Sequence, residues 1–364
     1  MAKLAVTGGG RCNITNSFVN VRSVEEVYPR GHRLMKRALK EFSPERTLDW
    51  FLEVGVKGFV TQPDGCVFPQ SQDAMEIVRC LQNRMRNSGV QIHCGKKAVK
   101  LSKADGHWTI GFADGSRAEA DAVLVTAGGA PKGLPLLEGL DIPWVPTVPS
   151  LFTFTIKDPE LRSLMGLVVD ASLSMDGFHS GGALLITDWG LSGPAVLKLS
   201  SYAALYLHDN EYKASLSVNW VAQTQVKVQE ELKALVQEGK QKLLASISPF
   251  GLPQRLWKHI LQRAGIREDI RCAELGSKGL ARITATITSD IYKVEGKSRF
   301  RDEFVTAGGV DIAAVDPSTM ECRLHQGLYF AGEILDIDAV TGGFNLQAAW
   351  STAYLAVKGI EKAL

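Results

Sequence analysis

The sequence predicts an α/β protein in which a parallel-sheet domain carries a β-rich insertion. Three observations predict it. Leu328 to Ala331 is a continuous apolar run, the pattern of a strand buried on both faces in a parallel sheet. Between Ala98 and Phe112 apolar and polar residues alternate, and Asp105-Gly106 and Asp114-Gly115 stand at the junctions, as in an antiparallel meander. From Ser150 the chain becomes strand-rich, starting with Leu151, Phe152, Phe154 and Ile156, and Asp302 to Gly309 re-enters the first domain. A chain of 364 residues has room for two or three domains with real cores.

In chain order, Lys3 to Thr7 is a short apolar segment running into Gly8-Gly9-Gly10-Arg11-Cys12-Asn13-Ile14-Thr15. Three glycines let backbone amides crowd an anion or a ring, and Arg11, Asn13 and Thr15 add donors. The same glycines also read as a flexible loop. Cys12 reads as a packed thiol or as a redox partner, and the absence of a nearby second cysteine favours packing. A helix opens at Ser43 with Pro44 in first position and closes at Gly55, burying Leu48, Phe51, Leu52 and Val54. Another runs from Ser71 to Asn87 on Met75, Ile77, Val78, Leu81 and Met85. The alternation starts at Val90, Ile92 and Cys94 and continues through the meander. Ala122 to Thr126 is a further buried strand, ending in Gly128-Gly129. Pro131 to Pro149 is a proline- and glycine-rich crossover.

In the insertion, strands are expected near Leu167 to Met175, Ala183 to Thr187 and Ala214 to Trp220, with a short helix from Ala195 to Tyr202. Gly190-Leu191-Ser192-Gly193-Pro194 is no hydrolase elbow, because proline replaces its last glycine. Residues 222–271 read as amphipathic helices, one on Val226, Leu232, Leu235 and Val236, the other on Leu256, Trp257, Ile260 and Leu261. Ile283 to Thr288 and Ile291 to Val294 read as returning strands.

The functional reading concentrates near the end of the chain. Gly332 removes a side chain where the Leu328 strand stops, and Glu333 offers a carboxylate there. Gly342-Gly343 precedes a helical pattern through Leu346, Ala349, Trp350, Ala353 and Val357. The acid suits ribose or ribityl hydroxyls. The helix start, carrying roughly +0.5 charge, suits a carbonyl that gains negative charge on reduction. A flavin has both groups. The plainer alternative is a tight turn beside a solvated acid.

Composition narrows the classes. At 45% hydrophobic and 22% charged, the chain is an ordinary globular protein. The net charge of +2 argues neither for nor against nucleic acid. Arg30, His32, Arg33, Lys36, Arg37 and Lys40 cluster, but without interleaved aromatics they read as a solvated helix face, so no nucleic-acid partner is expected. No apolar run reaches the ~20 residues of a membrane span, and the first residues do not form a signal peptide. Six scattered cysteines without a CxxC pair fit a reduced, cytoplasmic protein. The seven histidines show no metal-ligand spacing, so no metal is expected.

Four blocks carry a resemblance: Gly8 to Asn13, Gly190 to Ala195, Phe304 to Val310, and Gly327 to Trp350. In that order they resemble the BaiN/YhiN-like flavoproteins, FAD-dependent oxidoreductases that include aminoacetone oxidase-like members. The resemblance implies a glutathione-reductase-type, Rossmann-like FAD-binding domain over 1–147 and 298–364. It also implies a β-rich, barrel-like substrate domain over 148–221 and 272–297, and a small helical subdomain over 222–271. Gly8, Gly9, Gly10, Arg11, Cys12, Asn13 and Thr15 would lie against the flavin and its phosphates. Backbone at Val99 would meet the adenine, and Thr126, Ala127, Gly128 and Gly129 the pyrophosphate side, although the family order there is Ala-Thr-Gly-Gly. Gly332, Glu333, Asp336, Gly342, Gly343, Phe344, Asn345 and Leu346 would hold the ribityl chain and ring.

The chain also departs from that pattern. The stretch 131–149 lacks the family's second glycine-rich turn. No GxGxxG followed by an acid about 20 residues on is found, so the pyrophosphate-binding helix and ribose acid are expected to be missing from this sequence, through a start placed too late or a truncation, the alternative being a shortened protein that has lost tight FAD binding. The resulting expectation is an FAD-dependent oxidoreductase acting on a small organic substrate, with NAD(P)H as candidate donor. No acid or base is nominated, and Arg11 is the best placed polar group. The rivals are a non-catalytic scaffold that kept the fold and a nucleic-acid-modifying flavoprotein.

Overall fold

The computed structural model describes residues 1–130, 134–297 and 305–364. The chain divides into two compact units, Met1–Ser150 with Asp302–Leu364, and Leu151–Arg301. The start of the expected crossover, residues 131–133, and the Phe304 end of one resemblance block lie outside the described residues.

The first unit is organised by the helix Phe344–Ala363. Its buried positions, among them Phe344, Gln347, Ala348, Ser351, Leu355 and Gly359, recur at three- and four-residue spacing, so one stripe faces inward. The polar members of that stripe are satisfied. Gln347 Oε1 accepts from Thr15 Oγ1 (2.5 Å) and Thr47 Oγ1 (3.1 Å), and Ser351 Oγ donates to the Phe42 carbonyl (2.7 Å). Leu328–Phe330 is buried throughout and pairs in parallel with Val123–Val125. The meander is Ala98–Ala104, His107–Phe112 and Arg117–Ala120. Asp105 and Gly106 both take positive φ, the geometry of a tight two-residue hairpin. A separate antiparallel sheet joins Thr15–Asn16, Cys66–Pro69 and Phe59–Thr61. Trp144–Ser150 pairs with Val305–Val310 through an irregularity at Gly308, where an added Cβ would meet the Pro146 carbonyl at 2.4 Å.

The second unit is built on a seven-stranded antiparallel sheet. Its order is Asp290–Val294, Ala214–Asn219, Val168–Met175, Phe178–Ile186, Gly190–Ser192, Phe154–Thr155 and Gly296–Lys297. The two outermost strands are joined by Glu295 alone, so the sheet curls round on itself. Helices Gln225–Glu238, Gln254–Arg263 and Ser277–Thr288 belong to the same unit.

Several expectations are corrected. Val90, Ile92 and Cys94 form no strand. Val90 and Ile92 are about half exposed, because alternation supplies a face but no neighbouring ladder among the described residues. Ile283 to Thr288 is helical, within Ser277–Thr288. Its β-branched composition imitates a strand, but Ile283 and Ile287 are buried at a four-residue spacing. Leu52, Met75 and Val226 face solvent, the buried rows being Pro44, Thr47 and Phe51, then Ala74, Ile77 and Val78, then Val228, Leu232 and Val236. Gly190 to Pro194 reads in sequence as a turn before the short helix, yet Gly190–Ser192 is a strand.

Candidate functional site

The glycine loop and the start of the last helix meet. Gly8, Gly9 and Gly10 have φ of 60, 68 and 82°, so the chain turns in a left-handed path that side chains resist. Nothing stands within 4 Å of where a Cβ on Gly9 or Gly10 would be. Gly343, at φ 90°, begins the Phe344–Ala363 helix and gives it no side-chain cap. A Cβ on Gly343 would lie 2.3 Å from the Thr15 carbonyl oxygen, so only glycine lets these two segments close. Asn16 Nδ2 donates to the Gly342 carbonyl at 3.0 Å. The first-turn N–H groups of a 20-residue helix therefore stand without a side-chain cap, beside the Asn13 to Thr15 end of the glycine loop.

The loop leading to that helix start is pinned from several sides. Asp338 is fully buried and forms a two-pronged ion pair with Arg30, while Ser150 Oγ donates to it at 2.8 Å. Asn345 spends its amide on both backbone groups of Ala339, each at 2.9 Å. Asp336 accepts from the Gly308 N–H at 3.0 Å, and burial raises its carboxyl above the usual range. Arg30, Tyr28, Ser150 and Asp338 were not singled out from the sequence. Arg30 was absorbed into the basic cluster, and Asp338 carried no signal of its own in the sequence.

A second corner forms at the strand ends. Glu333 accepts from the Thr306 N–H at 3.0 Å and is paired with Lys3 Nζ at 2.8 Å. Gly128 and Gly129 lie against it. A Cβ on Gly129 would be 2.1 Å from Thr306 Oγ1 and 3.1 Å from Glu333 Oε1. Gly332, at φ 77°, lets the chain turn there.

The remaining candidates separate by role. Asn13 Oδ1 accepts from the Val67 N–H (3.2 Å), which ties the loop to the Cys66–Pro69 strand. The Arg11 guanidinium lies 4.3 Å from the Phe68 ring centre and Nε donates to the Gly8 carbonyl. Cys12 is fully buried, and burial pushes its thiol up to about 11, the state of a packed and unreactive cysteine. Leu346 packs against the core around Cys12, Ile14 and Phe51. Thr126 and Ala127 are exposed. Val99 sits in the meander strand Ala98–Ala104, in a sheet separate from the Leu328–Phe330 and Thr15–Asn16 strands. No group of three or more His, Cys, Asp or Glu among the described residues could hold a metal ion. None of the described helices is long and apolar enough to cross a membrane.

A parallel strand pair, a meander and an uncapped helix start make this unit an α/β domain with glycines at its strand ends. Residues 1–359 match the family described as HI0933-like protein Rossmann domain, and the chain belongs to this family of flavoproteins. It is 28% identical to the 3-dehydro-bile acid delta(4,6)-reductase of Clostridium scindens, over 97% of this chain and 88% of that protein. It is similar to the ribosomal RNA dihydrouridine synthase of Escherichia coli, with 28% identity over 98% and 88% of the two chains. The Haemophilus influenzae protein of that name is 26% identical, over 99% and 90%.

Proposed function

We propose that this protein is an FAD-dependent oxidoreductase that saturates a carbon–carbon double bond conjugated to a carbonyl in an organic substrate, with NAD(P)H as electron donor. The observation that carries the reading is the bare start of the Phe344–Ala363 helix, held beside the open glycine loop by a contact only glycine permits. The N–H groups of residues 343–345 would face the ring carbonyl that turns electron-rich, and their fixed dipoles favour the charge that develops there. Gly8, Gly9 and Gly10 would let the loop lie flat on the ring. Glu333 would take the hydroxyl chain in place of Lys3. FAD, when bound, supplies the hydride; the chain orients it and excludes water.

The substrate class draws on the printed names of the relatives. A 3-dehydro-bile acid delta(4,6)-reductase and a dihydrouridine synthase both add hydrogen across a ring double bond near a carbonyl. Anaerobic mixing of flavin-loaded protein with NADH or NADPH tests the reading. Bleaching of the flavin, followed by recovery on adding a cyclic enone, is the expected result. Protein that takes up no FAD would support the scaffold reading instead. A second reading, favoured by the two dihydrouridine synthases, places the double bond in an RNA base.

A further inference from the structure

The loop that leads toward the Phe344–Ala363 helix leaves a single side chain open to solvent. From Ile334 to Val340 every residue is buried except Asp336, which is partly exposed. Its Oδ1 accepts from the Gly308 N–H at 3.0 Å, and its Oδ2 has no partner among the described residues. Two residues earlier on the same Val305–Val310 strand, the Thr306 N–H donates to Glu333 at 3.0 Å. Two residues of strand span about 7 Å, so one strand edge spaces the two acids by about that length. Glu333 is paired with Lys3, whereas Asp336 pairs with no cation among the described residues.

Asp336 and Asp338 stand two positions apart and are held in opposite ways. Asp338 is fully buried in the two-pronged grip of Arg30. Burial raises the Asp336 carboxyl above its ordinary range, against the Gly308 N–H, and the neighbouring Asp338 raises it further. Of the other charges around it, Arg30 favours ionisation and Asp311 opposes it, but the Arg30 guanidinium is already committed to Asp338. Carboxyls whose surroundings push them apart in this way divide the work of counter-charge and acid between them. The loop is pinned through Asn345, Asp338 and Gly308, so nothing in the fold calls on Asp336 Oδ2.

Resting on the flavin placement proposed above, we infer that Asp336 Oδ2 holds the proton that accompanies the hydride when the double bond is saturated. Asp336 stands on the stretch of chain that runs from Glu333, at the hydroxyl chain, to residues 343–345, at the ring. NAD(P)H supplies a hydride, two electrons with one proton, and the second hydrogen of the product is a proton. As the hydride forms a C–H bond at one carbon, the electron pair of the double bond moves to the other. The O–H bond at Asp336 Oδ2 breaks there, a second C–H bond forms, and water reprotonates the carboxylate through its exposed edge. Next to a ring that has gained electrons the carboxyl is raised further, so reduction itself draws the proton onto Oδ2.

The test follows the Asp336 carboxyl carbon by NMR, assigned through its contact with the Gly308 N–H, in flavin-free, oxidised and reduced protein. Its midpoint is expected above the ordinary 3.8 without flavin and higher again once the flavin is reduced. Asp336→Asn keeps an oxygen for the Gly308 N–H, so it should fold and retain FAD, as thermal melts and absorbance check. NAD(P)H should bleach its flavin at the wild-type rate, while recovery on adding a cyclic enone should slow about a hundredfold. The decline of wild-type recovery at high pH should disappear in the variant. If the variant melts early, the wild-type carboxyl titration decides. Wild-type protein that takes up no FAD, or is not bleached by NAD(P)H, would overturn the flavin reading and the proton role together. An unchanged recovery rate in the variant, loss of FAD from the folded variant, or a midpoint that reduction does not move would overturn the proton role alone.

Discussion

Arg30 and Asp338 stand 308 positions apart in sequence and form a two-pronged ion pair, with Asp338 fully buried. The pair fixes the loop that delivers Gly342 and Gly343 to the glycine loop. Asp338→Asn leaves the guanidinium partly buried without its counter-charge. Removing one partner of a buried pair costs about 3–5 kcal/mol, and the 16% exposure of Arg30 places the expected loss at the lower end. Urea unfolding of the variant should show it, together with weaker flavin retention.

Gly343→Ala forces a side chain into a left-handed conformation, at about 1–3 kcal/mol, and drives its Cβ to 2.3 Å from the Thr15 carbonyl. Flavin binding should be lost or greatly weakened while the second unit keeps its own unfolding transition. Calorimetry with a flavin titration separates the two effects. Full retention of flavin by this variant would end the reading of the helix start as the ring site.

The second unit holds a buried titratable network. His259, 4% exposed, shares a 2.9 Å hydrogen bond with the Tyr292 hydroxyl, which donates to Asp290 at 2.7 Å. Burial holds the His259 imidazole below its ordinary 6.5. The folded form keeps it neutral while the unfolded chain protonates, so the unfolded state binds more protons and stability is lost as pH falls below about 6.5. Melting temperature measured from pH 8 to pH 5 should fall in that window. His259→Gln should flatten the dependence.

Cys12, with its thiol raised to about 11, carries about one thiolate in a thousand at pH 8. Iodoacetamide should label exposed Cys94 and leave Cys12 untouched in the folded protein. Cys12→Ser should still allow NAD(P)H to reduce the flavin. Loss of reduction in that variant, with flavin still bound, would restore a redox role for the thiol.

Local signals in the sequence were strong wherever one physical cause dominated. The Leu328–Phe330 strand announced itself because both faces are buried, and Asp105-Gly106 because positive φ selects few residues. The Pro44–Glu53 helix was legible from its Ser43 cap. The Ser277–Thr288 helix was not, since its Ile and Thr residues favour strands locally and only the burial of Ile283 and Ile287 shows the period. The glycines of the candidate site could be found from sequence because they have few structural substitutes. Its supports could not: Tyr28, which donates to the Phe344 carbonyl at 2.8 Å, and the Arg30–Asp338 pair join residues that only the fold brings together.

In the second unit, Phe154–Thr155 lies between Gly190–Ser192 and Gly296–Lys297, so the first strand synthesised is flanked on one side by the last. A ribosome would have to release well over a hundred further residues before that ladder could zip shut. Until then the early strand has one bare rim, open to a neighbouring nascent chain. Refolding of this unit should accordingly be slow and sensitive to protein concentration, more so than that of the helical segments it contains.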